Sequence, residues 1–144
     1  MHDGMPDAFR EEAIDIIKEK EQVLLNEYGF YIHLVADDSY DSVNAHTHGL
    51  FEKYNHLDFQ IVLNLHPNII SSIMHNLIDL VKKGERFHDE QEVGSIIQNF
   101  NIKLIETFES GRKVLRIILP DQKGDLNKDT MEESYAKQYI NHEW

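Results

Sequence analysis

The 144-residue chain is long enough for one domain with a core of its own, so residues 1–144 are expected to form a single domain. Twenty-six acidic residues against 14 basic ones give a formal charge of −12, which makes nucleic acid and anionic membranes unsuitable partners. The absence of cysteine excludes disulfides and thiolate metal sites. The sequence has neither a membrane-spanning apolar run nor a secretory leader, and a cytoplasmic location is therefore expected.

Hydrophobic spacing predicts a first helix over residues 7–27, because apolar residues recur there at steps of three and four. The period then changes to two in FYIHLVA, in residues 42–50 and in LDFQIVLNL, which predicts three strands. A second helix is predicted from His66-Pro67 to Gly84, since proline fits the first turn of a helix and glycine commonly follows the last.

The rest of the chain adds two more strands and a polar tail. Residues 85–99 show no clear period, apart from a short predicted strand near VGSII. A hairpin is predicted after them, with strands NIKLIETF and KVLRIIL joined by the turn ESGR. A polar, acidic segment, 121–144, follows the body of 28–120 and contains a short helix near 131–140. The predicted fold is α+β: a single-layer, mostly antiparallel sheet of about five strands with two main helices packed on one face.

Alternation along the strands separates two faces of this sheet. Apolar residues such as Phe59 and Ile61 point to the helices, and the opposite side, called the second face, collects hydrogen-bonding and titratable residues. The stretch FEKYNH, from Phe51 to His56, is predicted to be a turn-like loop beside this face. The predicted ligand-binding or interaction residues of the face and of this loop are Tyr31, His33, Asn44, His46, His48, His56, Asp58 and Gln60. The alternative interpretation is a plain outer surface, because the solvated face of an antiparallel sheet is polar by default.

The pair His46 and His48 is the motif with the most specific chemistry. Two residues apart on a strand, the imidazoles point to the same side about 7 Å apart at the backbone, which suits two ligands of one ion. A third ligand from His33, Asp58 or His56 would leave an open coordination position, as in catalytic metal sites. A divalent metal held by His33, His46, His48 and Asp58 is therefore one hypothesis, whereas a metal-free binding surface requires no cofactor.

Several stretches occur together in the order NAHTHGLFEKYNHLDFQIVLNLHP, VKKGERF at a helix end, and LRIILPDQKGDL followed by YAKQ. Over residues 27–139 the chain resembles the bacterial family called domain of unknown function 4262. The positions that match its signatures are Thr47, Gly49, Leu50, Pro120, Asp121, Gly124 and Gln138. The resemblance implies a compact α+β domain without an established activity. It also implies that His46 and His48 are particular to this chain, because many family members carry tyrosine and an apolar residue there.

The second face supports three hypotheses about function. The leading one is a small ligand-binding or protein-interaction module, rather than an enzyme, which uses the histidine-rich face and can form a homodimer through it. The first alternative is a metal-dependent enzyme built on His46 and His48. The second alternative is an acidic partner that neutralises a basic toxin or enzyme, and it draws on the formal charge of −12.

Overall fold

The computed structural model describes residues 20, 23–25, 27–37 and 42–140. Within these residues, one sheet contains six strands: β1 (Tyr31–Asp37), β2 (Ser42–His48), β3 (Asp58–Ile61), β4 (Glu92–Val93), β5 (Ile102–Glu109) and β6 (Arg112–Ile118). The helices that lie wholly within the described residues are α1 (Leu50–Tyr54), α2 (Pro67–Lys82) and α3 (Glu133–Ala136), the last of which continues into a 3-10 turn at Lys137–Tyr139. The α+β class is confirmed, and no helix in this part of the chain has the length and apolarity to cross a membrane.

The strands lie in the order β1-β2-β3-β6-β5-β4. Strands β3 and β6 pair in parallel, whereas the other four pairings are antiparallel. The sheet is therefore mixed, and besides the five main strands it contains the two-residue β4, which overlaps the short strand predicted near VGSII. The parallel pairing requires a long crossover, which α2 and the β5 strand supply. It also brings the first half of the chain against the β5–β6 hairpin, so residues distant in sequence meet on the second face.

Helix α2 supplies the helical side of the core. His66 caps its first turn, because its Nδ1 accepts a hydrogen bond from the N–H of Asn68 at 3.1 Å, and Pro67 occupies the first helical position. The buried stripe of α2 consists of Ile70, Ile73, Met74, Leu77, Ile78 and Val81. It belongs to one core cluster with sheet residues that include Phe59, Ile61, Leu115 and Ile117. The apolar face of the sheet is thus the one that the alternation predicted.

The stretch after β2 and the end of β3 differ from the sequence predictions, whereas the β5–β6 hairpin agrees with them. The stretch FEKYNH, expected as a turn, contains most of helix α1, and Gly49 with a φ of 102° lies at the N-terminal end of that helix. The third strand ends at Ile61 instead of continuing to residue 65. The β5–β6 hairpin is closed by Ser110 and Gly111, which both have positive φ, at 50° and 81°, as the favoured two-residue hairpin turn demands.

The predicted N-terminal helix lies largely outside the described residues. Residues 23–25 and 27–28 are helical, and the N–H of Gly29 donates to the carbonyl of Leu25 at 2.9 Å. Gly29 has a φ of 83°, the left-handed conformation that commonly ends a helix. The end of the helix is therefore confirmed, while the packing of both main helices on one face stays a prediction.

The centre of the second face is buried, which contradicts the alternative interpretation of a plain solvated surface. Asn44, Gln60 and Arg116 are at most 1% exposed, and His46 is 5% exposed. Part of the cover is the C-terminal segment, because the main-chain carbonyl of Gln138 accepts a hydrogen bond from Arg116. The sheet is therefore covered on both faces at this point, and its buried polar groups need partners of their own.

Substitution of Gly49 is expected to destabilise the fold more than substitution of Gly84, although the two glycines have nearly the same φ, 102° and 104°. A Cβ atom at Gly49 would lie 2.3 Å from the carbonyl oxygen of Gly29, whereas a Cβ at Gly84 would meet nothing within 4 Å. We expect Gly84→Ala to cost about 1–2 kcal/mol for the left-handed conformation, and Gly49→Ala to cost about 1–3 kcal/mol more because of the clash. Urea unfolding of the two variants measures the difference, and equal losses would contradict the close approach at Gly49.

Candidate functional site

Four aromatic rings form a block on the second face where β1 pairs with β2. The register puts Tyr31 opposite His48 and His33 opposite His46, and in each pair the rings are stacked with centroids 5.1 Å apart. The ring of His48 meets those of His46 and His33 edge to face, at centroid distances of 4.8 and 6.2 Å. His46 is buried and the other three residues are half-buried. These four residues, called the ring block, are true neighbours, as the binding hypothesis required.

A row of hydrogen bonds crosses the sheet from β6 to the ring block. Arg116 Nε donates to Gln60 Oε1 at 2.8 Å, and Gln60 Nε2 donates to Asn44 Oδ1 at 3.3 Å. The same Asn44 oxygen lies 3.2 Å from Nδ1 of His46. A guanidinium can only donate, so Arg116 fixes the orientation of the Gln60 amide, which in turn makes the Asn44 oxygen an acceptor. Nδ1 of His46 must therefore carry the ring proton, which leaves Nε2 with a lone pair.

Arg116 is a buried cation that has no carboxylate partner among the residues described. Its Nη1 donates to the main-chain carbonyls of Gln138 and Ile140 at 2.9 and 2.8 Å, while Nη2 has no hydrogen-bond partner in the described part of the chain. Burial lowers the pKa of Arg116 to about 10, so the guanidinium is still charged at neutral pH. Carbonyl and amide dipoles stabilise this charge, and they thereby tie the C-terminal segment to the sheet.

The remaining nitrogen of His46 faces a carboxylate. Nε2 of His46 lies 3.7 Å from Oε1 of Glu109, and both atoms are acceptors when the imidazole is neutral. Burial lowers the pKa of His46 from 6.5 to about 4, and the charge of Glu109 opposes this shift without cancelling it. His46 is therefore neutral at neutral pH. A hydrogen-bond donor or a cation placed between the two acceptors would satisfy both of them.

Arg112 connects this pair to the end of β3. Its Nε donates to Oε2 of Glu109 at 2.9 Å, and its Nη1 donates to Oδ2 of Asp58 at 3.1 Å. The other oxygen of Asp58 accepts from the hydroxyl of Thr47 at 2.7 Å and from the N–H of Leu50 at 3.1 Å. Burial raises the pKa of Asp58 in spite of these bonds. Burial alone would also raise the pKa of Glu109, but the bond to Arg112 and the neighbouring charges together lower it.

Within the part of the chain that the structure describes, no group of three or more His, Asp or Glu side chains is arranged to hold a metal ion. In the ring block, His33 and His46 lie face to face, and His48 meets both of them edge to face. The structure brings Glu109 to 3.7 Å from a histidine nitrogen, while Asp58 is bonded to Thr47 and Arg112. The metal set with Asp58 stays a prediction.

Residues 24–129 match the family model of a domain of unknown function, number 4262. This match covers most of the chain. The chain belongs to that family. No curated protein and no solved structure matches the sequence. The resemblance inferred from the motifs is thus confirmed, and membership in the domain of unknown function 4262 family brings no activity with it.

The first signature of the domain of unknown function 4262 family builds the junction between β2, α1 and β3. The hydroxyl of Thr47 donates to Asp58 and accepts from the N–H of Phe59 at 3.0 Å. Gly49 allows the main chain to pass close to its neighbour, and Leu50 is fully buried. These positions hold β3 in register beside β2. His46 and His48, which lie on either side of Thr47 in β2, point to the second face.

The second family signature shapes the turn after β6 and the docking of the C-terminal segment. The carboxylate of Asp121 accepts three main-chain N–H groups at 2.9–3.0 Å, and this lowers its pKa. Gly124 lies so close to the ring of Phe100 that a Cβ atom would be 2.6 Å from it. Gln138 binds the N–H and the carbonyl of Leu119 at 2.7 and 2.9 Å. The signature therefore places Gln138 where its own carbonyl reaches the buried arginine.

His56 has a different environment from the other predicted site residues. Its Nδ1 lies 2.8 Å from the carbonyl of Leu57, and its Nε2 accepts from the N–H of Phe87 at 3.0 Å. The ring is buried beside Phe59 and Phe87, and burial lowers its pKa. The structure thus uses both nitrogens of His56 to join main-chain segments and does not bring this residue to the ring block.

Glu109 and Arg112 are site residues that the sequence reasoning missed. They are the last cross-strand pair of the β5–β6 hairpin and flank its two-residue turn. Opposite charges on the two sides of a hairpin turn indicate an ion pair, so the pairing of Glu109 with Arg112 could have been predicted from the sequence. Their contacts with His46 and Asp58 had no local signal, because they depend on the parallel pairing of β3 with β6.

The stability of the protein is expected to fall on mild acidification, and His46 is expected to cause part of the fall. Because folding lowers its pKa from 6.5 to about 4, the unfolded chain binds more protons between these values, and the free energy of unfolding decreases as the pH falls through that range. We expect a loss of about 1–2 kcal/mol between pH 7 and pH 5 from this residue. Urea unfolding at both pH values should show a smaller loss for His46→Gln. The matched control is His88→Gln at an exposed site, and an unchanged pH dependence in His46→Gln would contradict the assignment.

Proposed function

We propose that the chain is a binding module whose contact surface is the ring block. The observation that carries the proposal is the exposure pattern: Tyr31, His33 and His48 are half-exposed side by side, and His46 beside them is buried. Rings held on paired strands lose little side-chain entropy when they bind, which makes them effective contact residues. The buried row of hydrogen bonds from Arg116 ends at the ring block, where it holds His46 in place and keeps it in one tautomer.

The chemistry of the block indicates the kind of partner. Stacked rings offer a flat face to another planar group, and the half-buried imidazoles carry ring nitrogens that can donate or accept a hydrogen bond. We infer a partner that carries an aromatic or planar group, either in a small molecule or in a protein side chain. A second copy of the chain fits this description, since β1 is an edge strand and its Leu34 and Val35 are 44% and 37% exposed.

Removal of the two half-exposed imidazoles tests the proposal. The double variant His33→Ala/His48→Ala should bind planar probes at least about tenfold more weakly than the unchanged protein, because the stacking surface is lost. Ligand-detected NMR with indole and adenine measures the binding, and sedimentation equilibrium measures self-association in parallel. His33 and His48 are chosen in place of His46, since the buried His46 contributes to the fold.

The control for this experiment is His75→Ala/His88→Ala, which removes two exposed imidazoles outside the block. This variant should keep both binding and self-association. Unchanged probe binding and unchanged self-association in the His33/His48 variant, with equal urea stability, would rule out the ring block as the contact surface.

A divalent metal site is the second candidate, and one observation favours it. Two acceptors, Nε2 of His46 and Oε1 of Glu109, face each other at 3.7 Å, which leaves room for a cation between them. Imidazole and carboxylate are common ligands of zinc and manganese. A rotation of His33 or His48 out of its stacked pair would supply a third ligand. Such a site would add Glu109 to the histidines predicted from the sequence.

Metal analysis of protein purified without an affinity tag distinguishes the two candidates. A metal site should give about one zinc or manganese ion per chain by mass spectrometry and a rise in melting temperature when that metal is added. Glu109→Gln should abolish both effects, whereas Glu106→Gln, at a partly exposed site on the same strand, should preserve both. Sub-stoichiometric metal together with an unchanged melting temperature would exclude this candidate.

Two predictions from composition remain predictions. A basic protein partner follows from the formal charge of −12, and its association would have to weaken steeply with salt. The cytoplasmic location follows from the sequence pattern described above. Neither is needed for the ring block to act as a contact surface.

A further inference from the structure

A cavity of about 500 Å³ opens at the opposite edge of the sheet from the ring block, between the β4–β5 edge and the C-terminal segment. Its lining includes Ile105, which lies directly opposite Arg116 in the sheet, and Tyr139 from the 3-10 turn. This volume lies within the range of small-molecule sites. The cavity shares no residue with the ring block, so its role is independent of the proposed function.

The lining carries charged side chains of both signs. Its acidic residues are Glu90, Glu92 and Asp129, and its basic residues are Lys103 and Lys128. None of these five forms an ion pair with any residue in the described part of the chain. Glu92 and Lys103 even lie opposite each other in the β4–β5 ladder without reaching salt-bridge distance. The charges are thus available to a ligand that brings the complementary groups.

The first wall of the cavity is held by hydrogen bonds to β5. Glu90 has a φ of 63°, a conformation that non-glycine residues seldom adopt, and it lies in a turn. The carboxylate of Asp89 accepts the N–H of Glu106 at 2.7 Å, and the carbonyl of Gln91 accepts the N–H of Leu104 at 2.8 Å. The bonds on either side of Glu90 keep this turn against the strand.

The second wall is held by the C-terminal segment. The side-chain oxygen of Asn127 accepts the N–H of Asp129 at 2.9 Å, which fixes the turn that carries Lys128. The hydroxyl of Tyr139 donates to the carbonyl of Leu126. Arg116 binds the carbonyls of the residues on both sides of Tyr139, and so anchors this wall to the sheet. Both walls are therefore formed before any ligand arrives, which reduces the entropic cost of binding.

The charge pattern selects one class of ligand. A simple anion would meet the three carboxylates of the cavity, and a simple cation would meet its two lysines. We propose that the cavity binds a small zwitterion of the amino acid or short peptide class, with its ammonium group on the carboxylates and its carboxylate on the lysines. Ile105, Leu126 and the ring of Tyr139 provide an apolar surface for the side chain of the ligand.

NMR titration of the full chain with defined probes tests this proposal. L-leucine and L-leucyl-L-leucine carry both charges, and their relative affinities distinguish a free amino acid from a peptide. L-leucinamide lacks the carboxylate, and N-acetyl-L-leucine lacks the ammonium group. The zwitterions should shift signals around the cavity in a saturable way, and each singly charged analogue should bind about tenfold more weakly, because one charge-assisted contact is lost. Equal affinity for all four probes, or no saturable shift with any, would overturn the proposal.

Matched variants assign the contacts. Lys103→Met should weaken L-leucine binding about tenfold and leave the affinity for L-leucinamide unchanged, since the amide has no carboxylate for the lysine to meet. Lys113→Met, at an exposed lysine of β6 outside the cavity, should preserve the affinities for both probes. The His33/His48 variant should also bind L-leucine normally, which separates this site from the ring block. A loss for L-leucinamide equal to that for L-leucine in Lys103→Met would refute the assigned contact.

Discussion

The buried guanidinium of Arg116 is the constraint on which the rest of the second face depends. A charge that is 1% exposed needs dipoles around it, and the protein provides the side chain of Gln60 and the main-chain carbonyls of Gln138 and Ile140. These bonds pull the C-terminal segment onto the sheet and orient the amides that lead to His46. Because arginine can only donate, the direction of every bond in that row follows from this one side chain.

Arg116 also stands between two different surfaces. On one side its row of hydrogen bonds ends at the ring block, where aromatic rings of β1 and β2 are half-exposed. On the other side it anchors Tyr139, which forms a wall of the charged cavity. A buried ion whose Nη2 lacks a hydrogen-bond partner among the described residues costs stability, and the same ion orders the segments that form both surfaces. The same residue therefore links the stability of the fold to the shape of its candidate sites.

Much of the site was predictable because strand alternation has a period of two. That period placed His33, His46 and His48 on one face with Gln60, and the structure confirms their adjacency through the β1–β2 and β2–β3 pairings. The burial of that face was not predicted, because alternation says which side a residue points to and nothing about what covers it. Glu109 was not foreseen, since its approach to His46 arises from strands joined across a long crossover.

The sequence by itself determined the α+β class, the family, the apolar stripe of α2 and the division of the sheet into two faces, because each of these follows from local periodicity or from short motifs. Only the tertiary structure decided which polar residues are buried, which carboxylate faces His46 and where a cavity lies. Those features depend on the packing of β2 and β3 against the β5–β6 hairpin and on the contact of the C-terminal segment with the sheet. No local pattern encodes them, because they arise when distant segments meet and must satisfy each other's charges and hydrogen bonds.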